Sequence, residues 1–452
     1  MLEAMTDSSN MSLRGRLASL TGRAATWASQ KTGRGSGGMI GGLIARRLDP
    51  NILPQLAGDT PAVIVTGTNG KSTTTRMLAA AMRTRFTVAT NDGGDNMDEG
   101  VISALMAASN PEYIAVEVDE LHVPRISQQL NTKVIVLLNL TRDQLDRVGE
   151  INKIERTLRD AINACPEATV IANCDDVMVT SVAYDHPNVV WVSVGRGFSG
   201  DATSCPRTGS AIMHTGTGTS LDWYATKPLP NGEMFRRPKP QWRIDDVGIH
   251  RDTGVAMPLE LQLPGRANRG NAAQAIGAAD VLGIPVEDAV DAAQSVSDVA
   301  GRYSTLNIGN HDVHMLLAKN PAGWQEALAM LDRSAEGVVI SVNGHIADGE
   351  DLSWLWDVKF EDFGDTKVVA AGERATDLAV RLTYAGIEHT VVADTLDAIR
   401  SCPAGRVEVL ANYTAFRDLR RAILRASDAH RGPAERSSLS NPFQKPSTAE
   451  EA

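Results

Sequence analysis

The chain has 452 residues, which is more than one ordinary domain needs and predicts two or three domains. Its 42% hydrophobic and 22% charged residues are typical of a globular protein. The sequence contains no run of about eighteen apolar residues, so it does not predict a membrane-spanning helix. The net charge of −11 argues against general nucleic-acid binding, because neutralising phosphates requires a basic surface.

Residues 1–50 are predicted to form one or two helices, broken at GRGSGG and preceded by a polar tail. The N-terminal sequence has no apolar run followed by a cleavage site, so it does not predict a signal peptide. We therefore expect a cytoplasmic protein. Residues 11–47 contain seven basic residues and no acidic one. A solvated helix face is the interpretation that we favour. The alternative is a surface that attracts anionic lipid headgroups, which would bring the protein to the inner face of the membrane.

From residue 51 to residue 300, short apolar runs alternate with helix-like stretches, which predicts βαβ units on a parallel sheet. Residues 198–245 interrupt this pattern with a segment rich in Gly, Thr, Pro and Arg, which we interpret as an insertion. The alternation restarts after it and predicts a second, smaller α/β domain over residues 301–426. Residues 427–452 are polar and are predicted to be a disordered tail.

The sequence VIVTGTNGKSTT (63–74) predicts a phosphate-binding loop between a buried strand and a helix. Its glycines allow backbone N–H groups to point at phosphate oxygens, Lys71 can neutralise the β- and γ-phosphates, and Ser72 can bind Mg²⁺. A glycine turn that only starts a helix is the alternative, but the flanking strand and helix both favour a nucleotide site. The predicted nucleotide contacts are Gly67, Thr68, Asn69, Gly70, Lys71, Ser72 and Thr73.

This compact Gly-Thr-Asn-Gly-Lys-Ser loop resembles that of the Mur ligases and folylpolyglutamate synthases, which are ATP-dependent amide-forming enzymes. Further matches to the family follow in the same order along the chain. They are Glu117 in YIAVEVDE, the segment NLTRDQLDRVGEI (139–151), the NCDD loop (173–176), Asn268 and Asn271 in NRGNAAQA, and Arg302 in AGRY. Each has a structural alternative, such as a turn, a helix cap or a surface ion pair, but five matches in order make coincidence a poor explanation.

The resemblance implies a Mur-ligase-like P-loop central domain with a parallel sheet, and a smaller Rossmann-like α/β domain at the C-terminus. It implies that a carboxylate attacks the γ-phosphate of ATP, and that a nitrogen nucleophile displaces phosphate from the resulting acyl phosphate. It also implies roles for particular residues: catalysis for Lys71, Glu117 and Arg302, Mg²⁺ binding for Ser72 and Glu117, and ATP contacts for Asn268, Asn271, Arg302 and Lys319.

Two C-terminal segments, AKNPAGWQEALAML (318–331) and NGHIADGEDLSWLWDVKFED (343–362), resemble one branch of the family, the MurT-type subunits. Too few residues precede the phosphate loop for a uridine-nucleotide domain of about a hundred residues, so we expect a different substrate anchor. In that branch the subunit amidates the D-glutamate α-carboxylate of the lipid II stem peptide to D-isoglutamine. Ammonia comes from glutamine through a separate GatD-type class I glutaminase, and the resemblance implies the same heterodimer here.

The resemblance further implies an aspartate that reaches the Cys–His pair of the glutaminase, and Asp351 in DGED matches it. It would orient the partner's imidazole. We favour Asp351 over its neighbours Asp348 and Asp357, and acids that hold turns and caps are the structural alternative. Two other functions stay open. One is a Mur-type ligase that adds a free amino acid to a peptidoglycan precursor, and the other is a non-catalytic nucleotide-binding scaffold.

Relatives in this branch often carry a four-cysteine zinc ribbon in the insertion. Here only Cys205 remains, and Thr208 stands where the second cysteine of its knuckle would be. Cys205 and His214 alone cannot supply the four ligands of tetrahedral zinc. We therefore predict a ribbon-shaped remnant without zinc, held together by apolar packing of Trp223, Tyr224 and Phe235.

Overall fold

The computed structural model describes residues 11–31, 39–91, 94–141, 150–195, 203–216, 221–254, 256–297, 303–345, 348, 351–363 and 367–430. The helices are α1 (Leu13–Lys31), α2 (Ile40–Leu48), α3 (Ile52–Ala57), α4 (Lys71–Met82), α5 (Asp98–Ala107), α6 (Val123–Gln129), α7 (Glu150–Asn163), α8 (Val177–Ala183), α9 (Arg266–Val281), α10 (Val286–Gln294), α11 (Pro321–Met330), α12 (Ala375–Tyr384), α13 (Thr395–Ser401) and α14 (Tyr413–His430). No helix among these described residues is both long and apolar enough to cross a bilayer.

The strands are β1 (Pro61–Thr66), β2 (Val88–Thr90), β3 (Tyr113–Glu117), β4 (Asn131–Leu137), β5 (Thr169–Asn173), β6 (Val189–Ser193), β7 (Ile212–Thr215), β8 (Asp222–Ala225), β9 (Trp242–Ile244), β10 (Gly248–Arg251), β11 (Ala256–Pro258), β12 (Tyr303–Ile308), β13 (His311–Leu317), β14 (Gly337–Ser341), β15 (Val368–Ala371), β16 (His389–Val391) and β17 (Gly405–Ala411). The chain divides into two units. The first comprises Met1–Gly301 with Asn320–Met330, and the second comprises Arg302–Lys319 with Leu331–Ala452.

The first unit is built on a nine-stranded sheet in the order β11-β10-β9-β6-β5-β4-β1-β3-β2. All neighbours from β9 through β2 are parallel, and β10 and β11 add an antiparallel edge. Strand β1 is apolar along its length because both faces of the sheet are covered. Ile64 belongs to one apolar core, and Val63 and Val65 belong to the core on the other face. The predicted parallel sheet of βαβ units is confirmed.

Helix α1 packs against α2 through small residues. Its buried positions are Gly15, Ala18 and Gly22, which recur on one side of the helix. A Cβ atom at Gly22 would lie 2.7 Å from the carbonyl oxygen of Gly41, so a larger side chain could not fit between the helices. One or two helices were predicted for residues 1–50, and the structure has α1 and α2 there, while GRGSGG and the first ten residues lie outside the described residues.

The insertion contains the antiparallel hairpin of β7 and β8, and β9, the last strand within residues 198–245, joins the nine-stranded sheet beside β6. Trp223 and Phe235 are fully buried with ring centroids 5.3 Å apart, as predicted. The prediction for Tyr224 was wrong: its side chain is exposed, because neighbouring residues of a strand point to opposite faces. Tyr184 from the end of α8 packs against Phe235 instead, with a centroid distance of 5.3 Å.

The second unit has its own six-stranded sheet in the order β12-β13-β17-β14-β15-β16. The β12–β13 pair is antiparallel and the other pairs are parallel. Its core joins Val313, Val339 and Val409 of the sheet to Phe416 and Leu419 of α14. A smaller C-terminal α/β domain is therefore confirmed. Helix α14 ends at His430, and the rest of the predicted disordered tail, residues 431–452, lies outside the described residues.

Candidate active site

The phosphate loop connects β1 to α4 and depends on two glycines with positive φ angles. Gly67 has φ of 133° and Gly70 has φ of 89°, in a region that favours glycine. A Cβ atom at Gly70 would lie 2.5 Å from Oδ1 of Asn271. The loop therefore requires glycine at position 70 both for its backbone conformation and for the close approach of α9.

The segment that follows β4 holds the loop in place. The N–H of Thr68 donates to the carbonyl oxygen of Asn139 at 2.9 Å, and the N–H of Asn69 donates to Oδ1 of Asn139 at 2.9 Å. The N–H of Thr141 donates to the hydroxyl of Thr68 at 3.1 Å. Sequence analysis matched this segment to the family but missed Asn139 as the residue that positions the loop. The position of Asn139 just after β4, a strand parallel to β1, was the feature that could have indicated that it lies next to the loop.

Lys71 is buried and forms an ion pair that sequence analysis also missed. Its ammonium donates to the carbonyl oxygen of Gly67 at 2.6 Å and lies 3.3 Å from Oε2 of Glu120. The two side chains are only 8% and 9% exposed, so water screens this pair weakly. Glu120 belongs to the acidic VDE segment after β3, the strand beside β1, which places it near the loop.

Ser72 and Glu117 provide the oxygens predicted for Mg²⁺. Ser72 lies in the first turn of α4, and Glu117 ends β3 opposite Val65 of β1. Both are buried, and Asn91 fixes the backbone of Glu117 by accepting its N–H and donating to its carbonyl oxygen, each at 2.9 Å. No group of three or more His, Cys, Asp or Glu side chains suited to a metal occurs in the described parts of the chain. A site with only a few oxygen ligands from the protein suits Mg²⁺, because this ion usually binds one or two carboxylates together with nucleotide phosphates.

The first two turns of α9 contain the two predicted asparagines, and Asn271 lies beside the loop. Asn271 contacts Gly70, as described above, and its amide donates to Oδ1 of Asn268 at 3.4 Å. Asn268 in turn donates to the carbonyl oxygen of Pro264 at 2.7 Å. Gln274 anchors the helix by donating to the carbonyl oxygen of Leu137 at 2.7 Å. The structure thus places Lys71, Ser72, Glu117, Asn268 and Asn271 in the first unit.

The aspartates of the NCDD loop have structural roles. Asp176 caps α8 by accepting the N–H groups of Met178 and Val179, and its other oxygen accepts the N–H of Leu140 at 2.9 Å. Asp175 accepts from Arg237 at 2.7 Å, which ties the insertion to the central sheet. The NCDD loop therefore supports the segment that contains Asn139 rather than being a solvated turn.

The remaining predicted residues do not belong to the described part of the first unit. Lys319 belongs to the second unit, where its ammonium lies 5.4 Å from the ring centroid of Tyr413. Arg302 lies outside the described residues, as does Gln144 of the segment 139–151. Asp351 belongs to the second unit as well.

Asp348 and Asp351 of the DGED segment differ in their surroundings. The buried carboxylate of Asp348 accepts the N–H of Thr414 at 2.9 Å and also the Thr414 hydroxyl. Asp351 is exposed and accepts the N–H of Ser353 at 2.8 Å. This backbone hydrogen bond, together with one from the Ser353 side chain, lowers the pKa of Asp351. Asp348 is thus a buried hydrogen-bond acceptor that holds Thr414, whereas Asp351 is an ionised carboxylate at the surface.

Hydrogen bonds close the turn at Cys205 in the insertion. The N–H of Cys205 donates to the carbonyl oxygen of Ser210 at 2.7 Å, and the N–H of Gly209 donates to that of Cys205 at 2.8 Å. Thr208 bonds to the Ser210 hydroxyl at 2.8 Å. Backbone hydrogen bonds therefore hold the shape of the turn that would present metal ligands in a zinc knuckle.

Arg207 fastens this turn to the central domain. Its guanidinium donates to the carbonyl oxygen of Ser181 at 2.5 Å, pairs with Asp185 at 2.8 Å, and stacks 4.8 Å from the ring centroid of Tyr184. The side chain is only 10% exposed, so these contacts lie largely out of water. Arg207 thus links the insertion to α8 by polar and aromatic contacts.

Comparison with known proteins agrees with this geometry. Residues 65–279 match the Mur ligase middle domain, and residues 317–416 match the MurT ligase C-terminal domain. The MurT subunit of lipid II isoglutaminyl synthase (glutamine-hydrolyzing) from Streptococcus pneumoniae is 29% identical over 442 residues, or 91% of this chain and 98% of the relative. The subunit of the same name from Staphylococcus aureus is 25% identical over 375 residues, or 78% of this chain and 84% of the relative.

Solved structures show the same fold. A pseudomurein peptide ligase type C from Methanothermus fervidus has a TM-score of 0.65 at 16% identity, covering 84% of this chain and 81% of that one. A MurF ligase from Thermotoga maritima in complex with ADP has a TM-score of 0.54 at 14% identity, covering 82% and 81%. At these identities the likeness concerns the fold.

The fold, the phosphate loop and these matches define a Mur-type ATP-dependent carbon–nitrogen ligase, and the chain is similar to the Mur ligase family in both matched domains. Within that family it is similar to the MurT subunits over nine-tenths of its length, and its C-terminal domain is of the MurT type. The expected Mur-ligase-like fold with a second α/β domain is confirmed.

Proposed function

We propose that the chain catalyses the ATP-dependent amidation of the D-glutamate α-carboxylate in the lipid II stem peptide to D-isoglutamine. The ammonia would come from glutamine through a GatD-type class I glutaminase subunit. One observation carries the proposal. A single chain joins a Mur-type phosphate loop to a MurT-type C-terminal domain, and the relatives that share both are named as subunits of a glutamine-hydrolysing isoglutaminyl synthase.

The phosphate loop supports the first half of this reaction. An oxygen of the substrate carboxylate attacks the γ-phosphorus of ATP, a new P–O bond forms, and the bond to ADP breaks. Negative charge develops on the transferred phosphoryl oxygens, where Lys71 and the N–H groups at the start of α4 stabilise it. Arg302 is proposed to reach the same phosphoryl group. Mg²⁺, held by Ser72 and Glu117, would neutralise further phosphate charge.

The second half forms the amide. Ammonia attacks the carbonyl carbon of the acyl phosphate, a C–N bond forms, the C–O bond to phosphate breaks, and nitrogen loses a proton to solvent. Asn268, Asn271 and Lys319 are proposed ATP contacts; Asn271 lies beside Gly70 of the loop, and Asn268 accepts a hydrogen bond from Asn271. In this proposal Asp351 orients the imidazole of the glutaminase, because its carboxylate is exposed and its lowered pKa keeps it ionised at neutral pH. The proposal implies a cytoplasmic protein at the inner face of the membrane.

Co-purification with the candidate glutaminase, followed by an assay with lipid II, ATP and glutamine, tests the proposal. We expect a stem peptide in which –NH₂ has replaced –OH, formed with glutamine or with ammonium and detected by mass spectrometry. Lys71→Ala should abolish this product while glutamine hydrolysis persists, and Lys133→Ala, at an exposed lysine of β4, serves as the matched control.

Two other outcomes would replace the proposal. Incorporation of a free amino acid, with no product from ammonium, would show a Mur-type ligase instead. Nucleotide binding that changes glutaminase activity, without any amide product, would show a non-catalytic scaffold.

A further inference from the structure

The outward face of α1 exposes large apolar side chains between its basic residues. Leu13, Leu17, Leu20 and Trp27 recur at helical spacing along one side of the helix, and together they are called the α1 stripe here. Their exposed fractions are 85%, 59%, 66% and 62%. An isolated exposed leucine is ordinary, but four large apolar side chains in one line form a surface that needs an explanation.

The opposite face of α1 fixes this orientation. Gly15, Ala18 and Gly22 form the buried side, where Gly15 closely approaches Gln55 of α3 and Gly22 closely approaches the carbonyl oxygen of Gly41 of α2. Leucine and tryptophan side chains could not occupy that contact without separating the two helices. Rotation of α1 about its axis therefore cannot bury the stripe.

Basic side chains border the stripe. Helical geometry places Arg16 and Arg23 along one edge and Arg14 along the other, and all three are exposed. The ammonium of Lys31 lies 4.7 Å from the ring centroid of Trp27. Neither α1 nor α2 contains an acidic residue, although the whole chain has a net charge of −11. Apolar anchors that include tryptophan, edged by arginine and lysine, are typical of helices that lie in the surface of an anionic bilayer.

We propose that the α1 stripe inserts into the headgroup region of an anionic lipid bilayer, with the bordering cations binding headgroup phosphates. A second copy of the chain is a poorer occupant, because two-fold symmetry would bring the same cations against each other. The inference goes beyond the proposed amidation. If both hold, the stripe keeps the enzyme at the surface in which a lipid-linked substrate lies.

Vesicle flotation of the full-length protein tests the inference. We compare vesicles of phosphatidylglycerol with phosphatidylcholine against vesicles of phosphatidylcholine alone. Leu17→Gln with Leu20→Gln should weaken binding to the anionic vesicles by about tenfold or more, because it removes two apolar anchors. The matched control is Val247→Gln with Tyr384→Gln, two positions that are each 75% exposed outside α1, and it should bind like the parent. Added salt should weaken binding of the parent.

Several results would overturn the inference. They are no binding to anionic vesicles, equal binding by the stripe variant and the parent, or equal weakening in the control. Loss of self-association or of glutaminase binding in the stripe variant, without any vesicle binding by the parent, would assign the stripe to a protein partner instead. Activity on detergent-dissolved lipid II separates this inference from the proposed function, since the stripe variant should retain it and Lys71→Ala should not.

Discussion

Asn69 and Asn139 exchange two hydrogen bonds across the phosphate loop. The N–H of Asn69 donates to Oδ1 of Asn139, and Nδ2 of Asn139 donates to the carbonyl oxygen of Asn69, each at 2.9 Å. One side chain thereby satisfies both backbone groups of a loop residue, as a neighbouring strand would. The loop that binds phosphate is thus shaped by a residue that need not touch the nucleotide.

Asn139→Ala should weaken ATP binding. The substitution leaves two part-buried backbone groups of Asn69 without these hydrogen bonds, at a cost of about 1–3 kcal/mol, or roughly tenfold to a hundredfold in Kd. Titration calorimetry with ATP measures the effect. Asn131→Ala, at the other end of β4, removes only an exposed hydrogen bond to Asp59 and should bind ATP normally. Equal Kd values for the two variants would contradict the role given to Asn139.

Gly70→Ala should abolish ATP binding and lower the melting temperature. The new Cβ would have to displace the Asn271 side chain, in addition to the strain of a positive φ angle. Gly232→Ala isolates the strain, because Gly232 has a similar φ of 87° and no heavy atom within 4 Å of a Cβ built there. We expect about 1 kcal/mol of destabilisation for the control. A comparable loss in the two variants would show that contact with Asn271 is unimportant.

Removing one partner of the Lys71–Glu120 pair should destabilise the protein. Lys71→Ala leaves a buried carboxylate without its cation, which costs about 3–5 kcal/mol in such pairs. The double variant Lys71→Ala with Glu120→Gln should recover most of that stability and still fail to bind ATP. Thermal and denaturant unfolding measure the cycle. Asp288→Asn is the control, because its pair with Arg85 is exposed and should contribute less than about 1 kcal/mol. Additive losses in the double variant would contradict the coupling.

Treatment with a zinc chelator should leave the insertion folded. We predict less than stoichiometric zinc by elemental analysis and no change in melting temperature with a chelator, because the turn at Cys205 is closed by hydrogen bonds. Arg207→Ala should cost about 2–3 kcal/mol through its buried contacts with Ser181 and Tyr184. Arg236→Ala removes an exposed pair with Asp222 in the same segment and should cost much less. Stoichiometric zinc would refute this view of the insertion.

Asp351→Asn should reduce glutamine-driven amidation by about a hundredfold or more, while ammonium-driven amidation persists. Because hydrogen bonds lower the pKa of Asp351, its carboxylate stays ionised to a lower pH than an ordinary aspartate does. If the rate of glutamine-driven amidation falls as the pH drops just below neutral, protonation of Asp351 should therefore not be the cause. Initial rates with the two nitrogen sources across pH measure both effects, with Asp357→Asn as control. Equal loss with glutamine and with ammonium would exclude the triad role.

The sequence predicts the phosphate loop and its flanking elements because those signals are local. Gly67, Gly70 and Lys71 stand between an apolar run and a helix, and the structure keeps that arrangement. Glu120 was not predictable as the partner of Lys71. Two acids, Asp119 and Glu120, follow β3 closely, and only the register of β3 against β1 and the path of the chain beyond it decide which one reaches the lysine.

Tertiary contacts decide which large side chains are exposed in β8 and in α1. In β8 the choice between Trp223 and Tyr224 depends on which face of the hairpin meets the domain, and alternation alone does not reveal it. In α1 hydrophobicity favours an inward stripe of leucines, yet the contact with α2 selects Gly22 and its small neighbours because the backbones approach closely. Tertiary fit, rather than local preference, decides both cases.

The central claim is that ATP activates a substrate carboxylate. The most direct test uses lipid II whose D-glutamate α-carboxylate carries heavy oxygen, incubated with ATP, glutamine and the two-subunit complex. Attack of the carboxylate on the γ-phosphorus transfers one of its oxygens, so the account predicts that the phosphate released with each amide carries the label. Release of unlabelled phosphate alongside amide formation would contradict it.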